Sequence, residues 1–261
     1  MKSLGIAATG MQAQQLNVEI ISHNLANMNT TGFKRQRAEF QDLLYQNIER
    51  AGTNSSDAGT VVPTGVQVGL GVKTGSVYRI TEQGNLTQTS NPYDVAINGK
   101  GFFRIQLPNG GDAYTRAGNF SVNGEGQLVT ADGYIVQPAI TVPREARDVA
   151  INDVGQVQAF LEGEPDPQQL GQLELVTFFN EAGLEAVGDN YYLETAASGA
   201  ATIGTPGQDG VGILRQGFIE AANVNPVQEI TSLIQAQRAY EMNARVITAS
   251  DEMLATSSNL R

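Results

Sequence analysis

The chain carries three rhythms of apolar and polar positions. Leu4, Met11, Val18 and Leu25 recur every seven residues, and three places after each come Ala7, Gln14, Ile21 and Met28. An a/d pattern with one polar interruption predicts an N-terminal helix with a coiled-coil seam. Near the other end Leu233, Tyr240, Ile247 and Leu254 keep the same spacing, flanked by Ile230 and Ala244. Its second seam row, Ala236, Asn243 and Ser250, is small and weakly apolar. Asn225-Pro226 supplies a start for this second helix, with proline in the first turn, where its missing N–H costs nothing.

Between the helices the period falls to two. Val66-Gln67-Val68, Val72 to Ile80, Val95-Ala96-Ile97, Phe103-Arg104-Ile105 and Leu173 to Phe178 read as strands. Turn residues punctuate them at Gln83-Gly84-Asn85, Pro108-Asn109-Gly110, Asn123-Gly124-Glu125-Gly126 and Asp132-Gly133. The segment Ser121–Leu128 resembles Ala150–Val157, and both read as strand, glycine-containing turn, strand. The fold class expected is therefore mainly β, with a central body inserted between terminal α-helices that form a coiled-coil-like layer.

Composition sharpens this division. Of the 29 glycines, 26 lie between Gly52 and Gly217, so the turn-rich body is bounded by two nearly glycine-free ends. The N-terminal helix carries Lys2 and Glu19 but many amides: Gln12, Gln14, Gln15, Asn17, Asn24 and Asn27. Uncharged amides suit a helix packed among other helices, where lone charges are costly to bury. Either the two helices form a hairpin docked on the body, or they build a layer shared between copies; the shared layer is the favoured arrangement. Net charge is −11, which argues against nucleic acid and anionic membrane as partners. Cysteine is absent, so disulfides and thiolate sites are excluded. The start reads unlike a secretory signal, since its short apolar run enters Gln12, Gln14 and Gln15 rather than a small-residue cleavage site.

Chemistry is sparse. His23 is the only histidine, so the usual zinc site has no ligand set. Gly69/Gly71, Gly99/Gly101 and Gly124/Gly126 all lack the third glycine of a dinucleotide loop. Glu162-Gly163-Glu164-Pro165-Asp166-Pro167 reads as an exposed acidic loop. No catalytic residue, cofactor site or metal site is assigned, and no enzymatic reaction is expected.

Several motifs carry a family likeness. Asn24-Leu25-Ala26-Asn27-Met28-Asn29-Thr30-Thr31-Gly32-Phe33-Lys34-Arg35 resembles the signature that closes the N-terminal helix of bacterial flagellar rod and hook proteins. Asp94-Val95-Ala96-Ile97-Asn98-Gly99-Lys100-Gly101-Phe102-Phe103 is similar to the central motif of that family. Gln235-Ala236-Gln237-Arg238-Ala239-Tyr240-Glu241-Met242-Asn243 resembles its C-terminal one, and Tyr114 to Phe120 adds a fourth anchor. The stretch with Phe40, Leu43, Leu44 and Tyr45, continuing to Pro63, Gly65, Gly69 and Gly71, resembles a segment carried by distal-rod members.

The resemblance implies a structural subunit of the distal rod that polymerises helically into a rigid hollow drive shaft and export channel. Proximal-rod membership is the near alternative, and a secreted β-rich binding or adhesion module the alternative of another class. Domains expected on this basis are 1–32 with 223–261 as a helical inner layer, 33–95 as a connecting segment bridging subunits near 40–72, and 96–222 as an outer β domain. Leu4, Met11, Val18, Ile21, Leu25, Ile230, Leu233, Tyr240, Ile247 and Leu254 would form the assembly seams. Implied partners are further copies of the chain, proximal-rod and hook proteins along the axis, the surrounding bushing rings, and the type III export apparatus. No nucleic acid and no small-molecule substrate are expected. The implied location is the basal body, crossing the periplasm toward the outer membrane, after export without a cleaved signal.

Overall fold

The structure is a computed structural model and describes residues 2–49, 64–162 and 166–259. Pro63 and residues 163–165 of the acidic loop lie outside the described residues. The chain divides into two compact units. A helical unit collects Met1–Leu25, Gln36–Tyr78 and Asn225–Arg261; a β unit collects Ala26–Arg35 and Arg79–Val224.

In the helical unit, α1 spans Lys2–Ala26 and α2 spans Pro226–Asn259. Asn225 caps α2: its side-chain oxygen accepts from the amides of Val227 and Gln228 at 3.1 and 3.3 Å, and Pro226 takes the first helical position. The two helices run antiparallel. Ser3 meets Ser250, a methyl placed on Gly10 would come within 2.9 Å of the Asn243 amide, and Asn24 meets Glu229 at 3.2 Å. Each heptad step forward along α1 is thus matched by a heptad step back along α2. Between the helices strands Gln36–Asp42 and Tyr45–Glu49 pair with Val72–Arg79 and Val66–Gly69. Bonds from Leu43 N to Gly71 O (2.8 Å) and from Leu70 N to Leu44 O (3.2 Å) join the two pairings into one ribbon.

The β unit is built on strand Phe102–Gln106, which pairs with Asp112–Thr115, Ile135–Gln137 and Leu175–Thr177. Alternation along that strand sends Phe103 and Phe102 to opposite faces. Phe103 is sealed in the main core with Val95, Ile97, Ile105, Leu175 and Leu214, its ring 4.9 Å from that of Phe120. Phe102 enters a second cluster with Tyr114, Val176, Phe178 and Tyr192, where edge-on rings dominate. The sequence pattern at Leu173–Phe178 condenses to the three-residue strand Leu175–Thr177.

The internal similarity is structural and extends beyond a single hairpin. Asn123 and Asn152 occupy equivalent places: each side-chain oxygen accepts the amide of the residue four on, Gln127 at 2.9 Å and Gln156 at 2.8 Å. The following Gly126 and Gly155 have φ of +88° and +83° and each accepts from a third segment, Val142 N and Leu173 N at 2.7 Å. A Cβ at either glycine would lie 2.5 Å from the returning carbonyl of that segment, so only glycine fits.

Candidate assembly surfaces and the buried ion cluster

The helix pair buries a row that is small and polar. Ala236 and Ser250 are buried, Asn243 is half-buried, and Glu229 and Asn24 close the far end. Asn24 also replaces a peptide partner for Gln36: it donates to the Gln36 carbonyl and accepts from its amide, both at 2.8 Å. On α1, Ala7, Ala13, Ile20 and Ile21 are buried. The remaining seam candidates lie less deeply. Leu4, Met11, Val18, Leu25, Leu233 and Ile247 are half-buried, while Ile230, Tyr240 and Leu254 are more than 40 % exposed. Only Ile21 of the ten candidates is fully buried within the chain itself. The seam closed inside one chain is therefore the weakly apolar row, and the large apolar positions flank it.

The ribbon shows the same imbalance. Leu44 is 82 % exposed, Ile48 61 % and Tyr45 56 %, whereas Phe40 and Leu43 are half-buried. Two strands with apolar groups facing water are marginal without a covering partner. Gly71, at φ +125°, is required because Thr9 of α1 lies against it, the Thr9 hydroxyl accepting from Val72 N at 3.3 Å. Gly69 faces the Tyr45 ring, a Cβ there being 3.5 Å from it, and Gly65 is half-buried.

The motif residues of the β unit converge on a cluster that the sequence pattern did not single out. Glu220, 1 % exposed, accepts from Lys34 Nζ at 2.6 Å and Arg116 Nε at 2.6 Å, while the Gly84 amide adds a third bond at 2.8 Å. Arg116 also donates to the carbonyls of Gly101 (2.7 Å) and Gly99 (2.6 Å), and Lys34 to that of Glu82 (2.8 Å). Gly32 donates to the Glu220 carbonyl at 2.8 Å, and its φ of +70° with Ala117 N pressing on it explains why glycine precedes Phe33. Phe33 is buried, and Asp94 is held by Asn91 Nδ2 at 2.8 Å. Burial pushes the Lys34 ammonium below its usual range, against the pull of Glu220. Burial also works to raise the Glu220 carboxyl, but Arg116 and Lys34 outweigh it and hold the group below its ordinary value. These contacts link residues 32–34, 84, 99–101, 116 and 220, so pattern reading along the chain could not pair them. The available hint was a lysine, an arginine and their glycines inside the recognised motifs.

A polar cavity of about 390 Å³ in the same unit is lined by Asn27, Thr30, Asn119, Asp132 and Tyr191 among others. Tyr191 donates to Asp132 at 2.5 Å, and burial with that carboxylate pushes its phenol well above its ordinary value, so it stays protonated. In the helical unit Gln237 and Tyr240 line a surface groove, and Arg238 is exposed. Among the described residues no cluster of three His, Asp or Glu side chains is placed to hold a metal, and no helix is long and apolar enough to cross a membrane.

A β body closed on its own core, with terminal helices and a ribbon that keep apolar groups outside theirs, defines a helix-ended structural subunit. The chain matches the family models described as flagella basal body rod protein (residues 4–34), flagellar hook protein FlgE/F/G D1 domain (96–159) and flagellar basal body rod FlgEFG protein C-terminal (215–260). It is 64 % identical over 261 residues to the flagellar basal-body rod protein FlgG of Caulobacter vibrioides, with both chains covered completely. The FlgG protein of Agrobacterium fabrum is 50 % identical over 262 residues, again across both whole chains. The FlgF rod protein of Caulobacter vibrioides is 34 % identical over 240 residues, covering 90 % of this chain and 88 % of its own. The chain belongs to the flagellar basal-body rod protein family.

Proposed function

We propose that this protein is a structural subunit of the distal rod, polymerising helically into the hollow shaft that carries torque toward hook and filament. What carries the subtype is the full-length likeness to FlgG proteins, at 64 % identity against 34 % for FlgF from the same organism. The physics supports polymerisation. The helices spend a weak, small-residue row on each other and leave Ile230, Tyr240 and Leu254 on the surface. A contact between two different faces of like subunits does not close on itself and propagates as a filament. The exposed ribbon around Leu44, Tyr45 and Ile48 is the natural bridge to a neighbouring copy. Its axial neighbours are proximal-rod and hook proteins, with bushing rings outside and the type III apparatus as its export route. The role is mechanical, in the basal body, and calls for no catalysis.

Deleting the gene and imaging extracted basal bodies tests the reading. Rods truncated before the hook, on non-swimming cells, are the expected result. Complete basal bodies on swimming cells would overturn it. In the complemented strain, Leu25→Asp or Leu233→Asp should block assembly while the β unit still melts as in the parent chain.

A further inference from the structure

An open groove of about 470 Å³ runs along one flank of the α1–α2 pair, with Val18 and Tyr240 in its floor and Glu19 and Glu241 on its two rims. Gln15 and Gln237 complete the lining, and Gln15 donates to Glu19 at 3.1 Å. The antiparallel register fixes how the rim charges are spaced. Because Ser3 faces Ser250 and Gly10 faces Asn243, Glu241 is level with Gln12, one heptad or about 10 Å along the axis from Glu19.

Two cations on the same unit match that spacing. Arg238 and Arg245 are also one heptad apart, and each lies two residues beyond a seam position, Ala236 or Asn243. Two residues are roughly 200° of helix rotation, so both arginines point away from α1. Both are exposed, beside Ile234, Met242 and Val246, which are each at least 45 % exposed. Neither arginine makes an ion pair among the described residues, even though Glu241 lies at the favourable four-residue spacing from Arg245.

We propose that the groove receives the outer face of α2 from a second copy of this chain, aligned parallel to the first α2, with Arg238 of the incoming helix against Glu19 and Arg245 against Glu241. Parallel alignment follows from a filament whose subunits share one polarity, and it sets the incoming helix back by about one turn, roughly 6 Å. Ile234, Met242 and Val246 then cover the apolar floor at Val18 and Tyr240. The proposal rests on the polymerising role inferred above and specifies the partner surface.

Suppression tests it, since Arg238 cannot reach Glu19 within one chain. In a deletion strain complemented with variants, Glu19→Arg alone and Arg238→Glu alone should each reduce completed rods by at least about tenfold, because like charges then oppose across the contact. The double variant E19R/R238E should return rod number to within about twofold of the parent, whereas E19R/R245E should not. All these positions are on the surface, so purified variants should melt with the parent chain. If Glu19→Arg builds rods normally, or if R238E fails to restore it, the groove contact is wrong while the rod role stands. If the deletion strain itself builds complete rods, it is the rod role that falls.

Discussion

Replacing Glu220 by glutamine separates a buried ion cluster from ordinary packing. The amide keeps the volume and an acceptor oxygen but removes the charge that balances Lys34 and Arg116, both about 5 % exposed. Removing one partner from a buried pair costs about 3–5 kcal/mol, because the orphaned charge stays desolvated. Here the lower half of that range applies: both cations keep other partners, Lys34 its bond to the Glu82 carbonyl and Arg116 its bonds to the Gly99 and Gly101 carbonyls. A loss near 3 kcal/mol is a large share of a total stability of about 5–15 kcal/mol. For a unit of this size it lowers the melting temperature by about 6–12 °C. Circular dichroism melts of the full chain at pH 7 give the number directly. The pH dependence gives its cause. The folded carboxyl lies below its ordinary value of 4.5, so its contribution is complete above 4.5 and fades as pH falls through the depressed value. The gap between parent and Glu220→Gln should therefore narrow in acid. A drop under about 1 kcal/mol at pH 7, or a gap that stays constant into strong acid, would refute the reasoning.

Other perturbations follow from the same contacts. Lys34 binds its proton less tightly folded than unfolded, so it adds stability as pH rises toward 10.5; Lys34→Met should flatten the alkaline part of a melting-temperature series. Phe103→Ala removes a fully buried ring from the main core and should cost about 3–5 kcal/mol in denaturant titrations, the largest loss among single truncations there. Asn24→Ala leaves the Gln36 amide and carbonyl without their 2.8 Å partner and should cost about 1–3 kcal/mol, read as faster hydrogen exchange in the helical unit with the β unit unchanged.

Much of this architecture was legible in the one-dimensional pattern. Heptads at both ends, a period of two between them, and the turn residues of the body are local properties, and the helices and most of the expected strands occur where the pattern puts them. The hairpin similarity was visible as well, because the Asn-to-Gln turn bond and the glycine after it are short-range chemistry. Pairing across the chain was decided by the tertiary structure. Nothing in the heptads says which row of α2 meets α1; the antiparallel register places the small row of Ala236, Asn243 and Ser250 inward, where close approach is possible. Likewise Lys34, Arg116 and Glu220 look like unrelated surface charges until the fold brings them within 2.6 Å. Local rhythm is written by backbone geometry acting over a few residues. Charge pairing, and the choice of which apolar face stays open for a neighbour, depend on distances that exist only once the chain has returned upon itself.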